Sequence, residues 1–323
     1  MIVIPFLEFA EFAGDEPARW RVICGGQLVH KTLGAGTIGE AEISGTVKRL
    51  TVVFENDGAS STKVFVIPTL IEQRLVEDIL ISDPTEEQEA LGRRLEKIRR
   101  GRARFQHLVE KMALPKGRVQ YTGRLLRILE NIDSGKELSE GDVDWLKSDA
   151  ARAPVVRLAA DHSLRKFREV GDPWLLARVS SLFRAAGRPR EAVRATADFN
   201  AASYPPDAAA AVLTSRAAAL ADLSQLQKAW DCALAALRLN SGSAHTCNLL
   251  GRLAYIRGLP KDGDAYFAKA AELSEGRMST DRARREALEQ AEAGVRDQLA
   301  RYLLEKDGQR YAWARRYLLG AAV

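Results

Sequence analysis

Two rhythms of apolar and polar positions divide this chain. Between residues 22 and 70 they alternate in short β-branched runs: Gln27–His30, Thr37–Ile43, Val47–Phe54 and Ser61–Ile67. Glycines and the polar turn Glu55-Asn56-Asp57-Gly58 punctuate the runs, a pattern that predicts strands. Several short strands in so small a span predict a barrel, because closure removes exposed edges. Leu70–Ile81 is read as a short helix closing that barrel. From Ser82 onward the spacing becomes helical. Ser82 or Asp83 as cap and Pro84 in the first turn open a helix that runs to about Met112. Leu91, Leu95, Ile98, Phe105, Val109 and Met112 lie on one of its faces. Leu114-Pro115-Lys116-Gly117 breaks it. Further helices are predicted near 119–133, 139–150 (with Ser139 as cap) and 154–170. After the turn Gly171-Asp172-Pro173 the chain is helical with brief interruptions.

The second half echoes itself. Ala217, Ala229 and Ala236 have counterparts 34 residues later at Gly251, Gly263 and Ala270, and Leu213, Leu220 and Ala233 map onto Cys247, Ala254 and Phe267. That period means one helix-turn-helix unit per repeat. Small residues let the two helices approach closely, and Phe267 fills the space they leave. A weaker earlier unit carries Leu176, Ser180, Phe183, Gly187, Ala192 and Phe199, offset by 37 residues because Ala192 corresponds to Ala229. The Tyr204-Pro205-Pro206 loop absorbs the three extra residues. Over about 174–275 this pattern resembles the tetratricopeptide repeat. The resemblance implies an α-solenoid that binds other proteins on a concave face. Arg-rich helices at about 280–304 and 309–319 would cap the last repeat, and 119–170 would cap the first. Trp174, Trp230, Tyr255 and Phe267 are expected in the core.

In the strand-rich segment, Gly26-Gln27-Leu28-Val29-His30 leads to Gly34-Ala35-Gly36-Thr37, and a later strand ends at Phe54. This series resembles the Tudor-like or SH3-like barrel of CarD-type transcription regulators. It is similar also to the C-terminal barrel of UvrD/PcrA-type helicases and to the polymerase-interacting domain of the transcription-repair coupling factor. Leu33 stands where that pattern has an aromatic. The resemblance implies docking on another protein, typically the RNA polymerase β subunit, or on a helicase or nuclease. His30 is read as a structural histidine tying a loop to the barrel. Gly34 and Gly36 allow a tight turn but make no phosphate cradle, since neither a helix nor a Lys-Ser/Thr pair follows.

Charge sharpens this division. Residues 1–80 carry seven basic and eleven acidic side chains, a balance of −4, whereas residues 91–128 carry twelve basic and two acidic ones, a balance of +10. Arg93, Arg94, Lys97, Arg100 and Arg104 concentrate that excess on the long helix, as candidates for phosphate or acidic-partner binding. Interleaved aromatics are few, so stacking on single strands is not indicated. Catalytic motifs are missing: there is no P-loop, His-Glu-x-x-His, Gly-x-Ser-x-Gly or Cys-x-x-Cys. His30, His107, His162 and His245 are scattered, and Asp161-His162-Ser163 are adjacent on a helix and point apart. Cys24, Cys232 and Cys247 lack metal-ligand spacing and fit buried thiols in a reducing cytoplasm. No apolar stretch is long enough for a membrane span.

The expectation is therefore a mainly α protein with a small all-β N-terminal domain. A barrel (1–80), a basic helical region (81–170), tetratricopeptide-like repeats (171–280) and capping helices (281–323) follow in order. The expected function is that of a non-catalytic adaptor without cofactor or metal. The alternative is a nucleic-acid-binding subunit of a repair, helicase or defence complex that uses residues 93–104 on DNA or RNA.

Overall fold

The computed structural model describes residues 1–44, 47–56, 59–115, 117, 119–275 and 280–318. Asp57 and Gly58 of the predicted turn and the basic residues Lys116 and Arg118 lie outside the described residues. The chain divides into two compact units, Met1–His107 and Leu108–Val323.

The first unit is built on a six-stranded antiparallel sheet. Its strands are β1 (Ile2–Pro5), β2 (Gln27–His30), β3 (Gly34–Ser44), β4 (Val47–Asn56), β5 (Ala59–Val66) and β6 (Val76–Ile81), in the spatial order β1-β6-β2-β3-β4-β5. The predicted strands are all present. The predicted closed barrel is not: β1 and β5 are the two edges of an open sheet. Helices cover the apolar face instead. Phe6 and Phe9 of α1 (Phe6–Ala13), Trp20 of α2 (Pro17–Arg21), and Leu91 and Leu95 of α4 (Glu86–Lys111) share one core with Leu28, Ile38, Leu50 and Phe54. A sheet whose apolar face is covered in this way has no need to close on itself. Trp20 anchors the cover, donating its indole N–H to the Gly14 carbonyl at 3.0 Å and meeting Phe9 edge-on.

The expected helix at Leu70–Ile81 is also corrected. Helix α3 (Ile67–Glu72) stops after six residues, and β6 follows. The stop is Arg74, at φ 49°, with the Leu75 N–H reaching back to the Leu70 carbonyl at 3.1 Å. This is a left-handed helix end formed without glycine. At the start of α4 the cap is Thr85 rather than Ser82 or Asp83. Its hydroxyl accepts from the Gln88 N–H while Gln88 Oε1 accepts from the Thr85 N–H, a reciprocal capping box.

The second unit, beyond the end of α4, is helical: α5 (Gly123–Asp133), α6 (Glu140–Lys147), α7 (Ala153–Val170), α8 (Pro173–Ala185), α9 (Pro189–Ala195), α10 (Pro206–Asp222), α11 (Leu226–Leu239), α12 (Ala244–Ile256), α13 (Pro260–Leu273), α14 (Thr280–Gln290) and α15 (Ala293–Lys306). Thr122 and Ser139 cap α5 and α6 through their hydroxyls. Three hairpins, α8–α9, α10–α11 and α12–α13, share one turn. Gly187, Ser224 and Gly258 take φ 71°, 58° and 75°. The N–H that follows each returns to the carbonyl five residues back, as Arg188 to Phe183, Gln225 to Leu220 and Leu259 to Ala254. These turns reproduce the 37- and 34-residue offsets and make the unit a tetratricopeptide-like array. Its helices meet through the small residues anticipated from sequence. A Cβ on Gly251 would lie 2.7 Å from the Phe267 ring, and one on Gly263 would lie 2.3 Å from the Tyr255 ring. Ala217, Ala229, Ala236 and Ala270 are fully buried.

Two expectations for this unit fail. Phe199 is not in a second helix, because α9 ends at Ala195 after seven residues. The 280–304 segment is a helical pair, α14 and α15, parted at Ala291 and Glu292, and 309–319 gives only a 3-10 turn at Ala312–Tyr317. The pair packs its buried Ala287, Leu288, Leu299 and Leu303 with Tyr255 and Phe267, which is what covering the last hairpin requires.

Candidate protein-interaction groove

The first helices of successive hairpins line one groove of about 420 Å³. Trp174, Ser181 and Arg184 come from α8, Thr214 and Ser215 from α10, His245, Asn248 and Arg252 from α12, and Glu286 from α14. Polar links join each helix to the next. Arg184 Nε donates to Asp222 at 2.6 Å, the Thr214 and Thr246 hydroxyls lie 2.8 Å apart, and Arg252 Nη1 reaches Glu286 at 3.4 Å. The last link is long, and among the described residues Arg252 Nε and Nη2 and Asn248 Oδ1 are buried without a hydrogen-bond partner. Burial, and then the nearby Arg184 guanidinium, pull Arg252 below the ordinary arginine range.

Trp174 corrects the expectation that it packs in the core. It sits at the start of α8 with 55% of its surface exposed, where Asp172 caps the helix by accepting from the Trp174 N–H. An exposed indole beside arginines is the composition of an interface hot spot. Helix phase decided this placement, and the apolar pattern alone does not give phase. Trp230, Tyr255 and Phe267 do pack internally: Trp230 against Tyr266, and Tyr255 against Phe267.

Beneath the last hairpin lies a charged cluster unrecognised in the sequence. Asp264 accepts from Tyr255 at 2.9 Å, from Arg284 at 2.7 Å, from Tyr302 at 2.7 Å and from Lys306. Burial pushes its carboxyl up, but these four donors outweigh burial and hold it at about 2. The members come from α12, α13, α14 and α15, so no local motif announces them. The cluster ties the terminal pair to the last hairpin.

In the first unit, the resemblance residues lie on β2, β3 and β4 and the turn before them. Gly36 crosses so close to β4 that a Cβ would stand 2.6 Å from Val52 and 2.8 Å from Phe54, and at Gly26 it would meet Ile79 at 2.9 Å. Gly34 takes φ 79°, a left-handed value suited to glycine. Val29 is partly exposed. His30 Nδ1 accepts the Thr32 and Leu33 N–H groups at 3.2 and 3.3 Å, and its ring stacks on Phe65. It therefore holds the β2–β3 turn.

On α4, Arg93, Lys97, Arg100 and Arg104 are exposed and recur at helical spacing. Much of this charge already faces the chain's own acids. Arg93 pairs with Glu89 at 3.2 Å and Arg100 with Glu96 at 2.7 Å, and the Arg100 hydrogen bond lowers the Glu96 pKa. Arg94 lies over the Phe12 ring, 4.7 Å from its centroid.

Burial raises all three cysteine thiols, Cys232 to about 11. Among the described residues no group of His, Cys, Asp and Glu is placed to hold a metal ion, and no helix is long and apolar enough to cross a membrane. No protein-family model matches the chain, and no curated protein matches it. Two solved structures of MamA resemble part of it. One is 19% identical, with a TM-score of 0.35, over 54% of this chain and 98% of that one. The other is 17% identical, with the same TM-score, over 59% and 95%.

Proposed function

We propose that this chain is a non-catalytic adaptor whose helical array holds a protein partner. One observation carries the proposal: first helices from consecutive hairpins contribute to a single groove with an exposed tryptophan at its lip. A surface assembled from repeated elements suits an extended partner segment better than a small substrate. The test is quantitative co-purification from the native cell with the full chain and with a Trp174→Ala, His245→Glu variant. Both substituted side chains are exposed, so the fold is kept. Loss of a hot-spot indole is expected to weaken partner capture at least about tenfold. Equal recovery by both proteins would sink the groove reading.

The finer part of the proposal assigns the first unit to a second partner, RNA polymerase or a DNA-processing enzyme, as the resemblance of Gly26, Val29, His30, Gly34, Gly36 and Phe54 implies. A second reading is favoured by the exposed basic face of α4, which would place phosphates against Arg93, Lys97, Arg100 and Arg104. It predicts duplex DNA or RNA binding that falls steeply with salt and is lost on charge reversal of those four residues. Anisotropy titrations that stay flat at low salt would remove it.

A further inference from the structure

The array departs from its period at one place, and a hollow of the second unit lies there. Helix α9 has seven residues where α11 and α13 have fourteen each. The chain that follows α9 folds over the gap instead of filling it. Arg216 pins this segment, donating to the Thr196 carbonyl at 3.1 Å. Asn200 fixes its next turn by accepting from the Ala202 N–H. Phe199 and Tyr204 then stack with centroids 5.1 Å apart and planes 15° apart. What remains is a hollow of about 540 Å³, within the usual range for small-molecule sites.

Its chemistry is lopsided. Phe167, Leu176 and Phe183 contribute apolar surface, and the stacked pair forms a flat aromatic wall. Arg168 of α7 and Arg194 of α9 stand at the rim with Asp198, and among the described residues none of the three forms an ion pair with another side chain. Glu191, the remaining acid, is committed to Arg188. Two uncommitted guanidiniums thus face one uncommitted carboxylate above an apolar floor. Guanidinium forks favour oxygen anions, and an aromatic wall favours a planar ring.

We propose that this hollow binds a small amphipathic anion, a planar aromatic body carrying one anionic oxygen group. The site is separate from the groove formed by the first helices. The experiment is a fluorescence titration of the full chain with anilinonaphthalene sulfonate and with the uncharged phenylnaphthylamine. The sulfonate dye is expected to saturate one site and to bind at least about tenfold more tightly than the neutral dye. Removing both guanidiniums (Arg168→Ala with Arg194→Ala) should weaken it by about the same factor. Filling the hollow with Ala195→Trp should abolish binding, and the Trp174→Ala, His245→Glu groove variant should retain it. Unsaturable binding, equal affinity for the two dyes, unchanged affinity in the arginine variant, or loss in the groove variant would each overturn the proposal. Circular dichroism and melting temperature check each variant, and if Ala195→Trp does not fold, the exposed arginine pair decides.

Discussion

Replacing Asp264 with alanine is expected to destabilise the helical unit by about 3 kcal/mol, the low end for breaking a buried pair. The loss comes less from the missing attraction than from what stays behind. The Arg284 side chain is only 7% exposed and lies over the Phe267 ring, and without Asp264 it keeps Thr280, Asp281 and the Tyr255 hydroxyl as its polar contacts. Tyr255 and Tyr302 would lose an acceptor at the same time. Urea unfolding followed by circular dichroism measures the difference, and a loss under about 1 kcal/mol would place the cluster among ordinary surface pairs. The same residue sets a pH window. Its folded carboxyl titrates at about 2, below the ordinary 3.8. Its contribution is therefore complete above about pH 4 and fades as pH falls toward 2. The alanine variant should lack that part of the acid response.

The second large effect is Gly263→Ala, expected to destabilise by about 1–3 kcal/mol. The sign is the informative part. In an open helix the same change stabilises by up to about 1 kcal/mol, because alanine is the better helix former. Here the new Cβ would stand 2.3 Å from the Tyr255 ring and 3.0 Å from the Gly251 carbonyl, so two helices must separate. Gly294 on α15 has nothing within 4 Å of its Cβ position and serves as the control. Gly294→Ala should leave the melting temperature unchanged or raise it. If Gly263→Ala raised it too, the close approach of α12 and α13 would be wrong.

The helical array was legible in sequence because its packing rule is local. Small residues at Ala217, Ala229, Gly251 and Gly263 recur wherever a hairpin closes, and the 37-residue offset already marked the irregular hairpin. Strand β2 was read to the residue for the same reason, a short alternation bounded by glycine. Failure came where a long-range partner decides. Segment 70–81 is apolar enough for either state, and its division rests on Arg74, whose left-handed turn carries no glycine to betray it. Sheet closure depended on α1, α2 and α4 competing for one apolar face, an outcome no local run announces. The groove depended on helix phase, hence Trp174. Asp264 draws its partners from up to 42 positions away, so no motif search would assemble the cluster.

The short α9 has a consequence for how this molecule comes apart. Helices α11 and α13 each bury three residues, whereas α9 buries only Ala192. In a stack, cooperativity passes from neighbour to neighbour and is only as strong as the weakest junction. At this junction the coupling therefore falls on α8 and α10, joined by Arg184 and Asp222 at 2.6 Å, and on Arg216, which holds the chain after α9. Loss of those two links would uncouple the hairpins on either side and broaden the unfolding transition of the helical unit.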